Sequence, residues 1–91
     1  MEEVIEVQAL VKGLVQGVGF RATARHLAQK QGLKGSVRNL SGGNVEIFAQ
    51  GGKHALERFF AGLMENFSDY IQVIEQTPIP LKEHEGFQIL R

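Results

Sequence analysis

Cysteine is absent from the 91 residues, which removes disulfide staples, thiolate metal ligands and a thiol nucleophile, and leaves apolar packing to hold the fold. The redox compartment is unreadable for the same reason. Nowhere do about 18 apolar residues run together, as a bilayer span requires, and Met1-Glu2-Glu3 is acidic where a secretory signal is basic. The expectation is a soluble cytoplasmic protein that does not engage a membrane. Acidic residues are missing from Val7 to Val45, a stretch with six basic ones (Lys12, Arg21, Arg25, Lys30, Lys34 and Arg38), although the net charge is zero. The first half therefore favours anions, or else presents a solvated basic face.

What is present suffices for one folded unit. Leu, Ile, Val and Phe make up 29 of the 91 residues, above the roughly one-fifth below which chains stay disordered. The length is too short for two independent cores, so residues 1–91 are expected to form a single domain. There is no internal repeat and no low-complexity segment.

From Val4 to Lys12, Ile5, Val7, Ala9 and Val11 alternate with Glu6, Gln8, Leu10 and Lys12, the period of a strand with one buried face. After the glycine-rich stretch Gly13 to Gly19, Phe20, Ala24, Leu27 and Ala28 fall at helical spacing as far as Gly32. Ser36–Leu40 and Asn44–Gln50 flank Ser41-Gly42-Gly43 and read as an antiparallel hairpin, with Val45, Ile47 and Ala49 inward. Leu56, Phe59, Phe60, Leu63, Met64 and Phe67 repeat along Lys53–Phe67 at i, i+3, i+4 and onward, a core-facing helical stripe. Ile71–Gln76 reads as a strand, Pro78 and Pro80 break the chain, and Phe87–Arg91 adds a short final strand. A β-α-β-β-α-β order of this length predicts an α+β, ferredoxin-like sandwich, two helices on one face of a mainly antiparallel sheet. Many functions share that fold.

Three glycines lie between the first strand and the first helix, in Gly13-Leu14-Val15-Gln16-Gly17-Val18-Gly19-Phe20-Arg21. Glycines let backbone N–H groups converge, and a helix start adds unsatisfied donors and a positive dipole end. Taken alone they also fit a tight turn that uses glycine only for its dihedral angles. Arg21 adds to the first reading: a cation in the first helical turn is disfavoured by roughly 0.3–1 kcal/mol, and a bound dianion between guanidinium and loop amides offsets this. A solvated Arg21, or one paired with a distant acid, is the alternative. Gly17-Val18-Gly19-Phe20-Arg21-Ala22 also fits G-x-G-x-x-A, but the next acid, Glu46, lies beyond the hairpin, where a dinucleotide ribose would not meet it.

The segment Gly13 to Arg21 resembles the acylphosphatase signature G-x-V-Q-G-V-x-F-R, and Gly35-Ser36-Val37-Arg38-Asn39, followed by Gly43, Val45 and Gly51, resembles that family's second signature. The resemblance implies hydrolysis of small acyl phosphates to a carboxylate and inorganic phosphate, with no cofactor and no metal. It matches Arg21 to the phosphate-binding arginine and Asn39 to the water-positioning asparagine, and gives the loop residues Val15, Gln16, Gly17, Val18, Gly19 and Phe20 to the phosphate. Ser36 stands where an aromatic residue is usual, and Leu14 where an arginine is common.

The chemistry suits these residues. An acyl phosphate expels a carboxylate whose conjugate acid has a pKa of about 4, so the leaving group needs little acid assistance. Phosphoryl transfer then depends on positioning and on stabilising equatorial charge. Loop amides and one arginine supply the second, and a carboxamide such as Asn39 can orient water without acting as a base. Without the resemblance, Asn39 reads as a turn residue ahead of Ser41-Gly42-Gly43. His26, His54 and His84 lack metal-ligand spacing and read as surface residues, Glu83 and Glu85 as a solvated loop, and no G-x-S-x-G elbow exists. Nucleic acid is a weak prospect, because the candidate strand Asn44–Phe48 offers a single aromatic ring for base stacking. A domain that binds a phosphorylated molecule without turnover is the other reading.

Overall fold

Alternation and helical spacing translate into seven elements in the computed structural model, which describes residues 2–91; Met1, the first residue of the acidic start, lies outside them. They are β1 (Val4–Gly13), α1 (Phe20–Lys30), β2 (Lys34–Asn39), β3 (Val45–Gly52), α2 (Lys53–Phe67), β4 (Ile71–Ile79) and β5 (Phe87–Leu90). The strands form one sheet in the order β4-β1-β3-β2-β5. β1 and β2 each run antiparallel to β3, and β5 joins β2 in parallel. Three strands, β1, β2 and β5, therefore point the same way, and their carboxyl ends meet at one edge of the molecule. This is the expected ferredoxin-like α+β architecture with its extra final strand.

The core follows from the two periods. Val7, Ala9 and Val11 of β1, Val37 of β2, and Val45, Ile47 and Ala49 of β3 are buried on one face of the sheet. Against them lie Phe20, Ala24 and Ala28 of α1 and Leu56, Phe59, Phe60, Leu63 and Phe67 of α2. Phe59 touches Phe60 edge-on at 4.9 Å between ring centroids and reaches Phe87 of β5 at 6.0 Å. Burial of each large side chain contributes about 1.5–3 kcal/mol. α1 ends where Gly32 N–H bonds the Gln29 carbonyl and Leu33 N–H the Ala28 carbonyl, the double closure that satisfies the last orphan carbonyls of a helix.

Five expectations change. β4 continues through Pro78 to Ile79, because β4 is an edge strand and a proline can turn its missing donor to solvent there. Met64 is 42% exposed: it sits at the margin of the α2 arc, and the core is filled by the phenylalanines and leucines. Ile5 is 37% exposed at the start of β1, whereas Glu6, expected on a solvated face, is 1% exposed. The cause is the segment 80–86, which crosses the outer face of the sheet from β4 to β5. His84, read as a surface residue, belongs to that segment and is half-buried beside Glu6.

Glu6 clasps this segment. Its Oε1 accepts the Gln50 Nε2 donor at 2.8 Å and the Lys82 N–H at 2.9 Å, and its Oε2 lies 2.9 Å from His84 Nε2. Burial pushes the Glu6 carboxyl up, but the bonds from His84, Lys82 and Gln50 outweigh it and hold the carboxyl below its ordinary value. Gly35 N–H bonds the Gly86 carbonyl at 2.9 Å, which delivers the chain to its place beside β2.

Candidate active site

At the end of β1 the chain must leave the sheet while pressed against β4. A Cβ on Gly13 would collide with the Tyr70 carbonyl oxygen, and that same oxygen accepts the Leu14 N–H at 2.8 Å. Val15 then turns into the core, fully buried, while Leu14 points outward. Gly17 and Gly19 hold φ of 81° and 80°, yet added Cβ atoms there would meet open space. Backbone handedness, and not crowding, calls for glycine at both. Gly19 caps α1 without a side-chain bond, and no acid occupies the first turn. The first N–H groups of α1 thus keep their donors free, at the positive end of the helix.

These donors face a cavity of about 670 Å³. The loop and helix contribute Val15, Gly17, Gly19, Phe20, Arg21 and Ala22, and the strand ends contribute Asn39, Ile89 and Arg91. The side chains of Val15 and Phe20 are buried in the core, with the Phe20 ring 4.9 Å from that of Phe67. Only their backbones are left to serve a ligand.

Arg21 and Asn39 are both uncompensated. Lys12 pairs with Glu75 at 3.2 Å and Arg38 with Glu46 at 2.8 Å, whereas Arg21 has no acidic partner among the described residues. Asn39 Oδ1 is buried and accepts no hydrogen bond; among the described residues it is the one buried side-chain nitrogen or oxygen in that condition. Leaving such an acceptor unpaired costs about 1–3 kcal/mol, so its place in a cavity beside free N–H groups and a free guanidinium points to a polar ligand.

Two loop residues named from the sequence, Gln16 and Val18, are not among the cavity-lining residues. Gln16 Nε2 donates instead to the carbonyls of Leu40 and Asn44, both at 2.8 Å. Ala22, Ile89 and Arg91 line the cavity without having been foreseen. The parallel register pairs Val37 with Ile89 and Arg38 with Leu90, so one step further Asn39 and Arg91 emerge side by side on the helix-covered face. Among the described residues, no cluster of three or more His, Asp or Glu could hold a metal ion, and no helix is long and apolar enough to cross a membrane. The arrangement can bind a dianion at the α1 terminus and hold a small polar molecule at Asn39.

The sequence profile of the acylphosphatase family matches residues 7–89. An acylphosphatase of Ligilactobacillus salivarius is 39% identical over 82 residues, which is 88% of this chain and 91% of that protein. One from Vibrio parahaemolyticus is 38% identical over 82 residues, 89% of this chain and 91% of its own. The crystal structure of acylphosphatase from Bacillus subtilis superposes with a TM-score of 0.86 at 32% identity, covering 96% of this chain and 99% of that one. With a profile match along most of its length, relatives matched nearly end to end and the same fold, the chain belongs to the acylphosphatase family, hydrolases of acyl phosphates.

Proposed function

We propose that residues 1–91 act as one cytoplasmic domain that hydrolyses small acyl phosphates to a carboxylate and inorganic phosphate, without metal or cofactor. The observation that carries the assignment of roles is the pairing of two incomplete groups in one cavity: among the described residues, Arg21 has no counter-ion and Asn39 Oδ1 no donor.

The phosphoryl group sits between the Arg21 guanidinium and the amides of residues 15–20, which neutralise its equatorial oxygens. Those donors are fixed before the substrate arrives, so stabilising the transition-state charge costs no reorganisation. Asn39 Oδ1 accepts a hydrogen bond from the attacking water and aligns it opposite the leaving carboxylate. The water oxygen bonds phosphorus as the bond from phosphorus to the carboxylate oxygen breaks, and the electron pair departs with the carboxylate. The water's second proton passes to a phosphate oxygen, so acyl phosphate dianion and water become carboxylate and dihydrogen phosphate. No general acid is required, because the leaving group is a weak base.

Phosphate release from acetyl phosphate and benzoyl phosphate, with inorganic phosphate as a competitive inhibitor, tests this reading. Turnover of either substrate supports it. Phosphate binding without turnover would make the domain a binding module.

A further inference from the structure

Gln16 lies in the middle of the glycine loop, but its carboxamide turns away from the cavity. Both donors of its Nε2 are used, one on the Leu40 carbonyl and one on the Asn44 carbonyl, each at 2.8 Å. Leu40 follows Asn39 directly, and Leu40 and Asn44 close the turn between β2 and β3 through Leu40 N–H on the Asn44 carbonyl, 2.8 Å. The same turn contains Gly42 and Gly43, both at positive φ, and a turn of that composition has little stiffness of its own. Gln16 is the one side chain among the described residues that hydrogen-bonds the loop to this turn. On either side of it, Val15 and Gly17 line the cavity.

We infer that the Gln16 side chain is a positioning group: it fixes the distance and angle between the phosphate cradle and Asn39, and so sets the line of water attack without itself touching the substrate. The inference rests on the reading of Asn39 as the water-holding group. In-line displacement needs the water about 3–3.5 Å from phosphorus, and a displacement of about 1 Å can cost on the order of a hundredfold in rate. Asn39 sits on the sheet and the phosphate sits in the loop, so a slack joint between them damages alignment and leaves the phosphate cradle whole.

The test is a double-mutant cycle with a structural readout beside it. kcat, KM and the phosphate inhibition constant are measured with benzoyl phosphate for the unaltered protein, Gln16→Ala, Gln16→Glu, Asn39→Ala and Gln16→Ala/Asn39→Ala. Gln16→Ala should lower kcat about 10- to 100-fold, with the phosphate inhibition constant little changed. Gln16→Glu keeps the length but loses the donors, and should fall as far. In the Asn39→Ala background the same Gln16 change should cost kcat almost nothing, because the water it serves is already unheld. Any thermal destabilisation should recur equally in both backgrounds. Independent multiplication of the two rate losses would overturn the proposal, as would parallel loss of phosphate affinity. The NMR signals of the Asn39 carboxamide give a second arm: they should broaden or split in Gln16→Ala, and unaltered signals would overturn the positioning role. Absence of turnover in the unaltered protein would sink the hydrolase reading, while the NMR arm still decides whether Gln16 holds Asn39 in place.

Discussion

Two oxygen-bearing side chains lie out of water at opposite faces of this sheet, and their surroundings differ. The Glu6 carboxylate has three partners, from Gln50, Lys82 and His84. The Asn39 Oδ1 has none, and it shares a cavity with Arg21, which also lacks a partner among the described residues. A charged group carries the greater burial penalty, yet here the charge is satisfied and the neutral amide is not. Among the described residues, buried side-chain oxygens and nitrogens find partners everywhere except at the cavity. An unmet polar atom thus separates a binding surface from a structural joint more sharply than charge does.

Substitutions can break this contrast. The largest effect belongs to Arg21→Ala, which should lower acyl-phosphate turnover by about 10³-fold or more and abolish phosphate inhibition. Its thermal stability should stay within about 0.5 kcal/mol of the unaltered protein, since no packing or ion pair is lost. Arg21→Lys should recover little, lacking the planar fork that grips two phosphate oxygens. Steady-state kinetics with thermal melts checks both; near-normal turnover in Arg21→Ala would remove the mechanism.

Asn39→Ala comes next. Its kcat should fall about 10²- to 10³-fold, while the phosphate inhibition constant barely moves, as for an interaction made chiefly in the transition state. Its thermal midpoint should hold or rise, because the unpaired buried acceptor disappears. Simultaneous loss of phosphate affinity would instead put Asn39 in the anion cradle, and a drop in midpoint would make it a structural turn residue.

Glu6 should behave in the opposite manner. Glu6→Ala should cost about 3–5 kcal/mol of stability, as when one partner of a buried pair is removed, and Glu6→Gln about 1–3 kcal/mol, with turnover per folded molecule changed little. The folded carboxyl is held below its ordinary value. Its contribution is therefore full above the usual glutamate pKa of about 4.3 and drains away as pH falls from there through the lower folded value. Denaturation midpoints between neutral pH and pH 3 should show a shallower acid decline in Glu6→Gln than in the unaltered protein. Smallest of all is the effect of excess chelator, which should leave turnover where it was; loss restored by a divalent ion would contradict a cradle that supplies its own positive field.

How far the sequence could be read depended on whether a residue's partner was local. β1, α1 and α2 show in periodicity because burial of one face repeats within the element itself; Arg21 stands out as a cation in a first helical turn, and Asn39 only through resemblance to a family signature. Ile89 and Arg91 do not, because their place at the cavity depends on a parallel register between β2 and β5 that no nearby residue encodes. The tie from the Gln16 side chain to the turn after β2 does not show in the sequence, because a loop has no period to say which way a side chain turns. Glu6 and His84 read as solvent-facing because alternation tells the two faces of a strand apart, but not whether a distant segment covers the second. Pro78 reads as a break because its position on an edge strand is a property of the sheet and not of the chain.

The Glu6 clasp also carries a cost in chain entropy. It joins positions 76 and 78 residues apart, and the entropy of so wide a closure grows slowly with length but must be met before any contact rewards it. With residue 6 joined to residues 82 and 84, the segment leading into β5 is held across the sheet, and β5 brings Ile89 and Arg91 to the cavity. A growing chain already contains the glycine loop, Arg21 and Asn39 when β5 has yet to be added. The cradle comes from the first half of the chain and its wall from the last strand, so the cavity is complete only where segments far apart in sequence have met.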